Sequence, residues 1–431
     1  MSTRPRCALF LLCVVQSSER FAFFAMLPLF VLYLHHRHGF SEPTAMLLFG
    51  VFYALSYVGG LPAGIVTDRK LGPLVALLIG CALLTLGYGA LALDASPLFW
   101  PALALMVIGH SFFKPSMGTL FGALFQSADI RRERGFFLQH LAVNIAAMAG
   151  PLCGEWSRAG DRWDRLFFWS AVATCVGTAT LTVGARLLPL QSQRPVDAAS
   201  VTGSPQTDPA RWSVVWWLCG LSVVFWLTAQ QSGSSLVAFA ESHTERSIVA
   251  FGRTVQIGPG HFGALHGLQV LLLLPLLLGG MSWLRRHKAE PSTLAKMTWG
   301  YVATAAAFVV LVFAGLHGDD TQRVSPIWLS GAYVLLSVAE LLLSPLGMAL
   351  ITRIAPPKRT SQAVGLWFAA AAVGNASAGA IGLLWGHWPN HRYFALLALA
   401  SLGAAVALCI RLSPLERLIN ASRTNPEGGR R

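Results

Sequence analysis

Charged residues are scarce in this sequence of 431 residues. Only 12% are Asp, Glu, Lys or Arg, whereas 54% are hydrophobic and the mean hydropathy is +0.56. A soluble domain typically carries about 25% charged residues. So few charges cannot cover the surface of a water-soluble protein of this length, which excludes a soluble globular protein and makes lipid the expected solvent.

The sequence also lacks the motifs of common active sites and metal sites. It contains no HExxH, no GxSxG and no phosphate-binding loop in a suitable setting. The seven Cys show no CxxC spacing and lie mainly in or beside apolar segments, as small packing residues do. We therefore expect no metal, no cofactor and no enzymatic activity, whereas a receptor-like sensor stays open.

Long apolar segments recur from one end of the chain to the other. About 20 such residues cross the hydrocarbon core as a helix, and continuous runs such as LQVLLLLPLLLGG lack the period-two alternation of a β-barrel strand. The pattern predicts an all-α membrane protein with about 12 transmembrane helices. The predicted segments are 7–34, 44–66, 73–93, 99–124, 135–156, 164–188, 213–240, 262–284, 295–316, 326–352, 361–384 and 392–412.

The net charge of +13 follows the membrane topology and not a nucleic-acid surface. If both termini are cytoplasmic, about 22 Lys and Arg fall in cytoplasmic segments, about 8 outside and two within the membrane. This bias is the positive-inside rule, so we expect no nucleic-acid partner. The predicted location is the inner membrane, as a multi-pass protein with both termini in the cytoplasm.

One long polar stretch, rich in Pro, Ser, Asp and Gln, divides the predicted helices into two groups of six. The predicted domains are an N-terminal bundle at 1–188, a cytoplasmic linker at 189–212, a C-terminal bundle at 213–412 and a tail at 413–431. This is the plan of the major facilitator superfamily fold, in which two six-helix bundles rock about a central site.

The segment GIVTDRKLG after the second predicted helix resembles the loop signature of that superfamily. An acid and bases in a tight cytoplasmic turn can bond to a neighbouring helix end and hold one conformation. The predicted latch consists of Gly64, Asp68, Arg69 and Gly72.

Four charged residues stand out inside the predicted helices, because a charge at the bilayer centre costs at least about 2.5 to 3.5 kcal/mol without a partner or a wet cavity. They are Glu19, Arg20, Lys114 and Glu340. The first three give the N-terminal bundle an excess positive charge, and Glu340 gives the other bundle a negative site. A cavity with these opposite poles suits a zwitterion; the alternative is that all four form buried ion pairs that hold the bundle together.

Several motifs resemble those of one transporter family. QSSERFAFF resembles the E-x-x-E-R-F-x-Y-Y signature of proton-dependent oligopeptide transporters, and IGHSFFKP resembles their G-x-G-x-x-K-P. FWLTAQQSGSSL, VAELLLSPLG and GLWFAAAAVGN resemble segments of their helices 7, 10 and 11. The chain is identified as a divergent member of this family, also called POT or PTR.

The resemblance implies roles for seven residues. Arg20, Lys114 and Asn144 would face the carboxyl end of a peptide, and Glu340 would take its amino group. The residues implied to line the cavity are Tyr57, His266 and Trp367.

The sequence departs from the family pattern at positions that bear on proton coupling. The first acid of the helix 1 motif is Gln16, and the helix 8 Asn is His266. Leu27 and Gln230 replace an Arg and a Glu that are thought to pair and separate with proton binding, so a charged pair has been exchanged for neutral residues.

The remaining candidates for a coupled proton are Glu19, Glu340 and His266, with His110 and His140 ranked below them. The sequence thus predicts a secondary transporter that moves di- or tripeptides, or a related small zwitterion, by alternating access, with proton coupling favoured. The alternative is an uncoupled facilitator or an exporter of a peptide-like metabolite or drug.

Overall fold

The computed structural model describes residues 3–124, 131–188, 209–250, 253–318, 322–355 and 360–424. These residues are almost entirely helical. The helices are α1 (Thr3–Met26), α2 (Phe30–His38), α3 (Glu42–Val58), α4 (Gly60–Val66), α5 (Pro73–Ala92), α6 (Phe99–Ala123), α7 (Arg131–Ser157), α8 (Trp163–Gly184), α9 (Pro209–Ala229), α10 (Ser235–Ser242), α11 (Pro259–Arg286), α12 (Thr293–Gly318), α13 (Pro326–Ile354), α14 (Thr360–Gly382) and α15 (Asn390–Thr424).

Helices occupy all twelve predicted segments. In the described part of the chain, eleven spans are long and apolar enough to cross a membrane. The fifth predicted segment, 135–156, lies within α7, which packs against α1 and α11 but is not among those eleven. Its first turn carries Arg131, Arg132 and Glu133, and these charges lower its mean hydropathy.

Three of the predicted helices are interrupted, which the hydropathy pattern did not indicate. A 3-10 turn at Leu27–Leu29 separates α1 from α2, and Pro28 within it cannot donate a backbone hydrogen bond. Gly59 separates α3 from α4, and a second 3-10 turn at Gln230–Gly233 separates α9 from α10. The first two breaks lie in apolar stretches, and the four residues Gln-Gln-Ser-Gly of the third are too few to divide a span by its mean hydropathy.

The described strands form one short hairpin beyond the helices. β1 (Ser247–Ala250) pairs antiparallel with β2 (Arg253–Gln256), with Ile248 opposite Val255. We call this end of the bundle the hairpin end and the opposite end the linker end. The predicted linker at 189–212 lies outside the described residues up to 208, α9 already begins at Pro209, and α15 continues through the predicted tail to Thr424.

The helices pack as two groups joined by two helix pairs. In the first group α5 packs on α6 and α8, and α1 packs on α7 and α8; in the second, α12 packs on α13 and α15, and α9 packs on α14. Between the groups, α3 packs on α14 and α7 on α11. A Cβ on Gly50 of α3 would lie 2.6 Å from Cα of Gly379, so glycine allows these two backbones to approach closely.

The hydrophobic core is continuous between the groups only towards the hairpin end. One buried cluster runs from Phe30 and Tyr33 of α2 to Phe239 of α10 and Phe394 of α15. A second cluster, which includes Val215 of α9, lies within the second group alone. The described core therefore closes the bundle at the hairpin end.

The loop between α11 and α12, at the linker end, is fixed by an ion-pair cluster. Glu290 accepts from Arg285 Nε at 2.7 Å and from Lys296 Nζ at 2.6 Å. The Arg285 hydrogen bond, followed by that from Lys296, lowers the pKa of Glu290 to about 2. Glu290 is therefore ionised at every pH at which transport is measured.

A charged network also joins the two groups at the hairpin end. Arg158, directly after α7, lies 2.8 Å from Oε1 of Glu155 and 3.8 Å from Oε2 of Glu241 on α10. Glu241 also pairs with Arg246 at 2.9 Å. Glu155 accepts in addition from the backbone N–H of Gly260, at the start of α11, at 2.8 Å. We call Glu155, Arg158, Glu241 and Arg246 the clasp.

Arg158→Gln is expected to shift the carrier towards forms that are open at the hairpin end. The change leaves two partly buried carboxylates with one cation fewer, and a loss of about 1 kcal/mol corresponds to a change of roughly fivefold in the ratio of open to closed forms. Spin labels at Leu93 and Ile327, which are exposed at this end in the two groups, would report the change as a longer distance. Arg162→Gln is the control, since Arg162 pairs with Asp164 within one group. An unchanged distance distribution in Arg158→Gln would exclude a role for the clasp in closure.

Candidate functional site

A buried ion pair lies at the centre of the first group. Arg20 donates from Nε and Nη2 to the two carboxylate oxygens of Glu19, both at 2.6 Å. Nδ1 of His110 on α6 lies 3.1 Å from Oε1 of the same carboxylate. The side chains of Glu19 and His110 are 3% and 0% exposed. The predicted alternative of a buried ion pair therefore holds for Glu19 and Arg20.

Aromatic rings cover the Arg20 guanidinium. Its Cζ lies 4.9 Å from the ring centroid of Phe23 and 5.9 Å from that of Phe24. Neither ring carries a hydroxyl, so both contribute cation-π contact without a further hydrogen bond. Arg20 is thus held by Glu19 and by apolar rings, and its charge is largely compensated within the protein.

Lys114 of α6 differs from Arg20 in its partners. Its Nζ lies 3.7 Å from the ring centroid of Tyr57 and 5.9 Å from that of Tyr53, both on α3. Among the residues that the structure describes, no carboxylate forms an ion pair with Lys114. The structure therefore brings Lys114 and Tyr57 together, as an ammonium on an aromatic face.

The Tyr57 ring faces the second group of helices. Its centroid lies 5.8 Å from that of Trp226 on α9 and 6.1 Å from that of Phe368 on α14. Trp367, the neighbour of Phe368, is instead buried against Gly347 of α13, within the core of the second group. In this structure Phe368, and not Trp367, contacts Tyr57, because successive residues of a helix point about 100° apart.

Glu340 and His266 form the polar centre of the second group. Nε2 of His266 on α11 lies 2.9 Å from Oε2 of Glu340 on α13, and Nδ1 lies 2.8 Å from Oγ of Ser337. The Glu340 side chain is 48% exposed, whereas that of His266 is 21% exposed. These residues open onto a pocket formed by α9, α11, α12 and α13, which is also lined by Thr228, Ser232 and Thr304.

The two positions of the exchanged charge pair lie in turns that contact each other. Leu27 belongs to the turn between α1 and α2, and Gln230 to the turn between α9 and α10. A Cβ on Gly233 of the second turn would lie 3.5 Å from Cδ1 of Leu27. The contact between the helix breaks is therefore made without a formal charge at either position.

Two further predicted positions lie on the helices around this site. Asn144 is a buried polar residue of α7, 8% exposed. Gln16 of α1 accepts a hydrogen bond from Gln139 of α7, so the residue in place of the motif's first acid joins two helices of the first group. The side chain of His140 lies outside those described.

The predicted latch lies at the linker end. Gly64 is in α4, Asp68 and Arg69 lie in a turn at Thr67–Leu71, and Gly72 ends this turn with φ of +76°, which glycine adopts without strain. Asp68 and Arg69 are exposed, and within the described ranges neither forms an ion pair. These two side chains of the latch are thus exposed in a structure whose clasp at the other end is formed.

Family models agree with this arrangement. A model described as Major Facilitator Superfamily matches residues 12–285. The chain belongs to this superfamily. A second model, described as POT family, matches residues 207–390, which confirms the resemblance to that family.

Curated relatives extend along almost the whole chain. A protein named peptide transporter YePEPT, from Yersinia enterocolitica subsp. palearctica, is 27% identical, with 93% of each chain covered. A di-/tripeptide transporter from Lactococcus lactis subsp. cremoris is 24% identical, with 94% of this chain and 95% of the relative covered. These relatives are transporters, not enzymes.

Solved structures share the fold. A peptide transporter POT in complex with sulfate superposes with a TM-score of 0.86 at 22% identity, and 95% of each chain is covered. A POT family transporter in complex with 5-aminolevulinic acid gives a TM-score of 0.84 at 21% identity, covering 94% of this chain and 95% of the other. The two-bundle superfamily fold predicted from the sequence is confirmed.

Proposed function

We propose that this protein carries di- or tripeptides, or closely related small zwitterions, across the inner membrane. The observation that supports this most is the placement of opposite charges on the two sides of the interface between the helix groups. Lys114 offers an ammonium over Tyr57 in the first group, and Glu340 offers a half-exposed carboxylate in the second. A peptide has a carboxylate at one end and an ammonium at the other, so both of its ends find a counter-charge.

Alternating access supplies the mechanism. The clasp and the shared core close the hairpin end, and Asp68 and Arg69 of the latch are exposed at the linker end. Movement between this form and its opposite would expose the site to the two sides in turn. The excess of Lys and Arg at the linker end supports its assignment to the cytoplasm, together with both termini.

Proton coupling is part of the proposal, but the proton would bind to residues other than those at the positions of the family's Arg–Glu pair. Leu27 and Gln230 cannot change charge. The ionisable groups that contact one another near the interface are Glu19 with His110 and Glu340 with His266. A coupled proton would therefore be taken up at one of these carboxylate–imidazole pairs.

Uptake of a labelled dipeptide into proteoliposomes, with and without an inward pH gradient, tests the proposal. Accumulation above equilibrium that depends on the gradient is expected of a proton-coupled peptide carrier. If the dipeptide only equilibrates across the membrane, at a level that does not depend on the pH gradient, the protein is an uncoupled facilitator and the coupling is refuted. Absence of flux with every dipeptide would refute the peptide substrate and favour another metabolite.

A further inference from the structure

We propose that His266 occupies the amino-group position on Glu340 in the empty carrier, and that a substrate ammonium displaces it with release of one proton. The inference rests on the proposed role of Glu340 as the site for a peptide amino group. His266 is then a specificity-determining residue, because it makes the affinity for substrates with an amino group depend on pH.

First, the imidazole of His266 takes the place on Glu340 that a substrate ammonium would need. Nε2 of His266 is 2.9 Å from Oε2 of Glu340, the distance of a charge-assisted hydrogen bond. A substrate ammonium bound to this carboxylate would need the same oxygen or its neighbour. The Glu340 side chain is 48% exposed and lines the pocket between α9, α11, α12 and α13.

The second step concerns the proton on Nδ1. The buried hydroxyl of Ser337 has one proton to donate. Its Oγ lies 2.9 Å from the backbone oxygen of Tyr333, which can only accept a hydrogen bond. Oε1 of Gln269 is a further acceptor, 3.4 Å from the same hydroxyl, because the amide nitrogen of Gln269 is turned to the backbone oxygen of Ser330. Two acceptors thus draw the hydroxyl proton away from His266. When the hydroxyl proton points to either of these acceptors, the contact of 2.8 Å between Oγ and Nδ1 is made by a hydrogen on Nδ1.

The third step follows from counting hydrogens. With a hydrogen on Nδ1, the contact between Nε2 and Oε2 needs another proton, either on the imidazole or on the carboxylate. In both cases the pair of His266 and Glu340 holds one proton more than a neutral imidazole beside a carboxylate. Ser337 is therefore a positioning residue that favours the proton-loaded pair.

Apart from Glu340, the groups of α13 that contact His266 in the described residues are uncharged. Tyr333 of α13 has its ring centroid 5.5 Å from that of His266 and donates its hydroxyl to the backbone oxygen of Ser232. Across the interface, Glu340 interacts electrostatically with Tyr57 of α3, which contacts the Lys114 ammonium of α6. In the described residues, no second carboxylate pairs with His266.

The consequence for binding is a proton balance. An imidazolium beside Glu340 repels an incoming ammonium, and a protonated Glu340 offers it no negative charge. The ammonium binds when the extra proton leaves to solvent, so that carboxylate and ammonium form the ion pair and the imidazole becomes neutral. No bond to carbon is made or broken. A substrate without an amino group needs no such release. A proton carried in the same direction as the substrate is then held by the other carboxylate–imidazole pair, Glu19 and His110.

Binding of a labelled dipeptide to the purified carrier at about pH 5.5 and about pH 7.5 tests the proposal. Release of one proton per ligand strengthens binding by up to about tenfold per pH unit. We expect a gain of at least about tenfold across this range for the free-amino dipeptide and less than about twofold for its N-acetyl analogue. His266→Asn should remove the gain, and Ser337→Ala should move the rise to lower pH, a shift that a purely structural role would not produce.

A flat profile in the wild-type protein, or a gain that persists in His266→Asn, would overturn the proposal. Titration of His266 by 15N-histidine NMR, assigned by difference from His266→Asn, needs no ligand. A protonated Nδ1 at about pH 6 is expected, and an unprotonated Nδ1 would refute the proton-loaded pair. If no dipeptide binds any variant, the peptide function fails, while the NMR titration still decides the state of His266.

Discussion

Replacing Lys114 by Gln is expected to lower dipeptide uptake on the order of 100-fold. The Lys114 ammonium lies 3.7 Å over the Tyr57 ring, and no carboxylate of the described residues forms an ion pair with it. Removal of one partner from a desolvated ion pair with a ligand typically costs about 2 to 5 kcal/mol. Gln keeps the length and a hydrogen-bond donor but loses the charge, so the substrate carboxylate would lose its counter-ion.

Uptake rates in proteoliposomes over a range of dipeptide concentrations would measure this effect. Lys70→Gln is the matched control, because Lys70 is exposed in the turn at the linker end. Tyr57→Phe keeps the aromatic face and should retain most of the activity. If Lys114→Gln transported within about twofold of the wild type, Lys114 would not be the carboxylate site.

Replacing Glu340 by Gln is expected to discriminate between two classes of substrate. Transport of free-amino dipeptides should fall by about 10- to 100-fold, since the ammonium loses its only proposed counter-charge. N-acetyl dipeptides carry no ammonium, and their transport should fall by less than about threefold.

Competition between each analogue and one labelled dipeptide would measure the two losses in the same membranes. Glu290→Gln serves as the control, because Glu290 lies in the loop cluster with Arg285 and Lys296 at the linker end. Equal losses for free-amino and N-acetyl substrates would contradict an amino-group site at Glu340 and indicate a role in folding or gating.

The sequence predicted the fold because apolar length and the polar linker reflect a single constraint, the lipid core. The mean hydropathy of a whole span does not register a break of three or four residues, so the turns at Leu27–Leu29 and Gln230–Gly233 were not predicted. The hairpin at Ser247–Gln256 was missed as well, since it is short and lies beyond the helices.

Within the site, the charges were located but their pairing was not. Sequence patterns identified Lys114 and Glu340, because a charge in an apolar run is conspicuous. Whether Arg20 pairs with Glu19 or faces a ligand depends on side-chain rotamers, which no spacing rule fixes. Ser337 and Gln269 gave no signal, since small polar residues are common in membrane helices; a search for polar residues one turn from Glu340 would have found Ser337.

The neutral contact between the two helix breaks has an electrical consequence. A membrane potential does about 2.3 kcal/mol of work per elementary charge moved through 100 mV. Leu27 and Gln230 carry no formal charge, so their contact can form and part without any such work. Voltage would then act on this carrier through the charged clasp and the groups that hold substrate and proton, and this contact would add nothing to a current recorded during turnover.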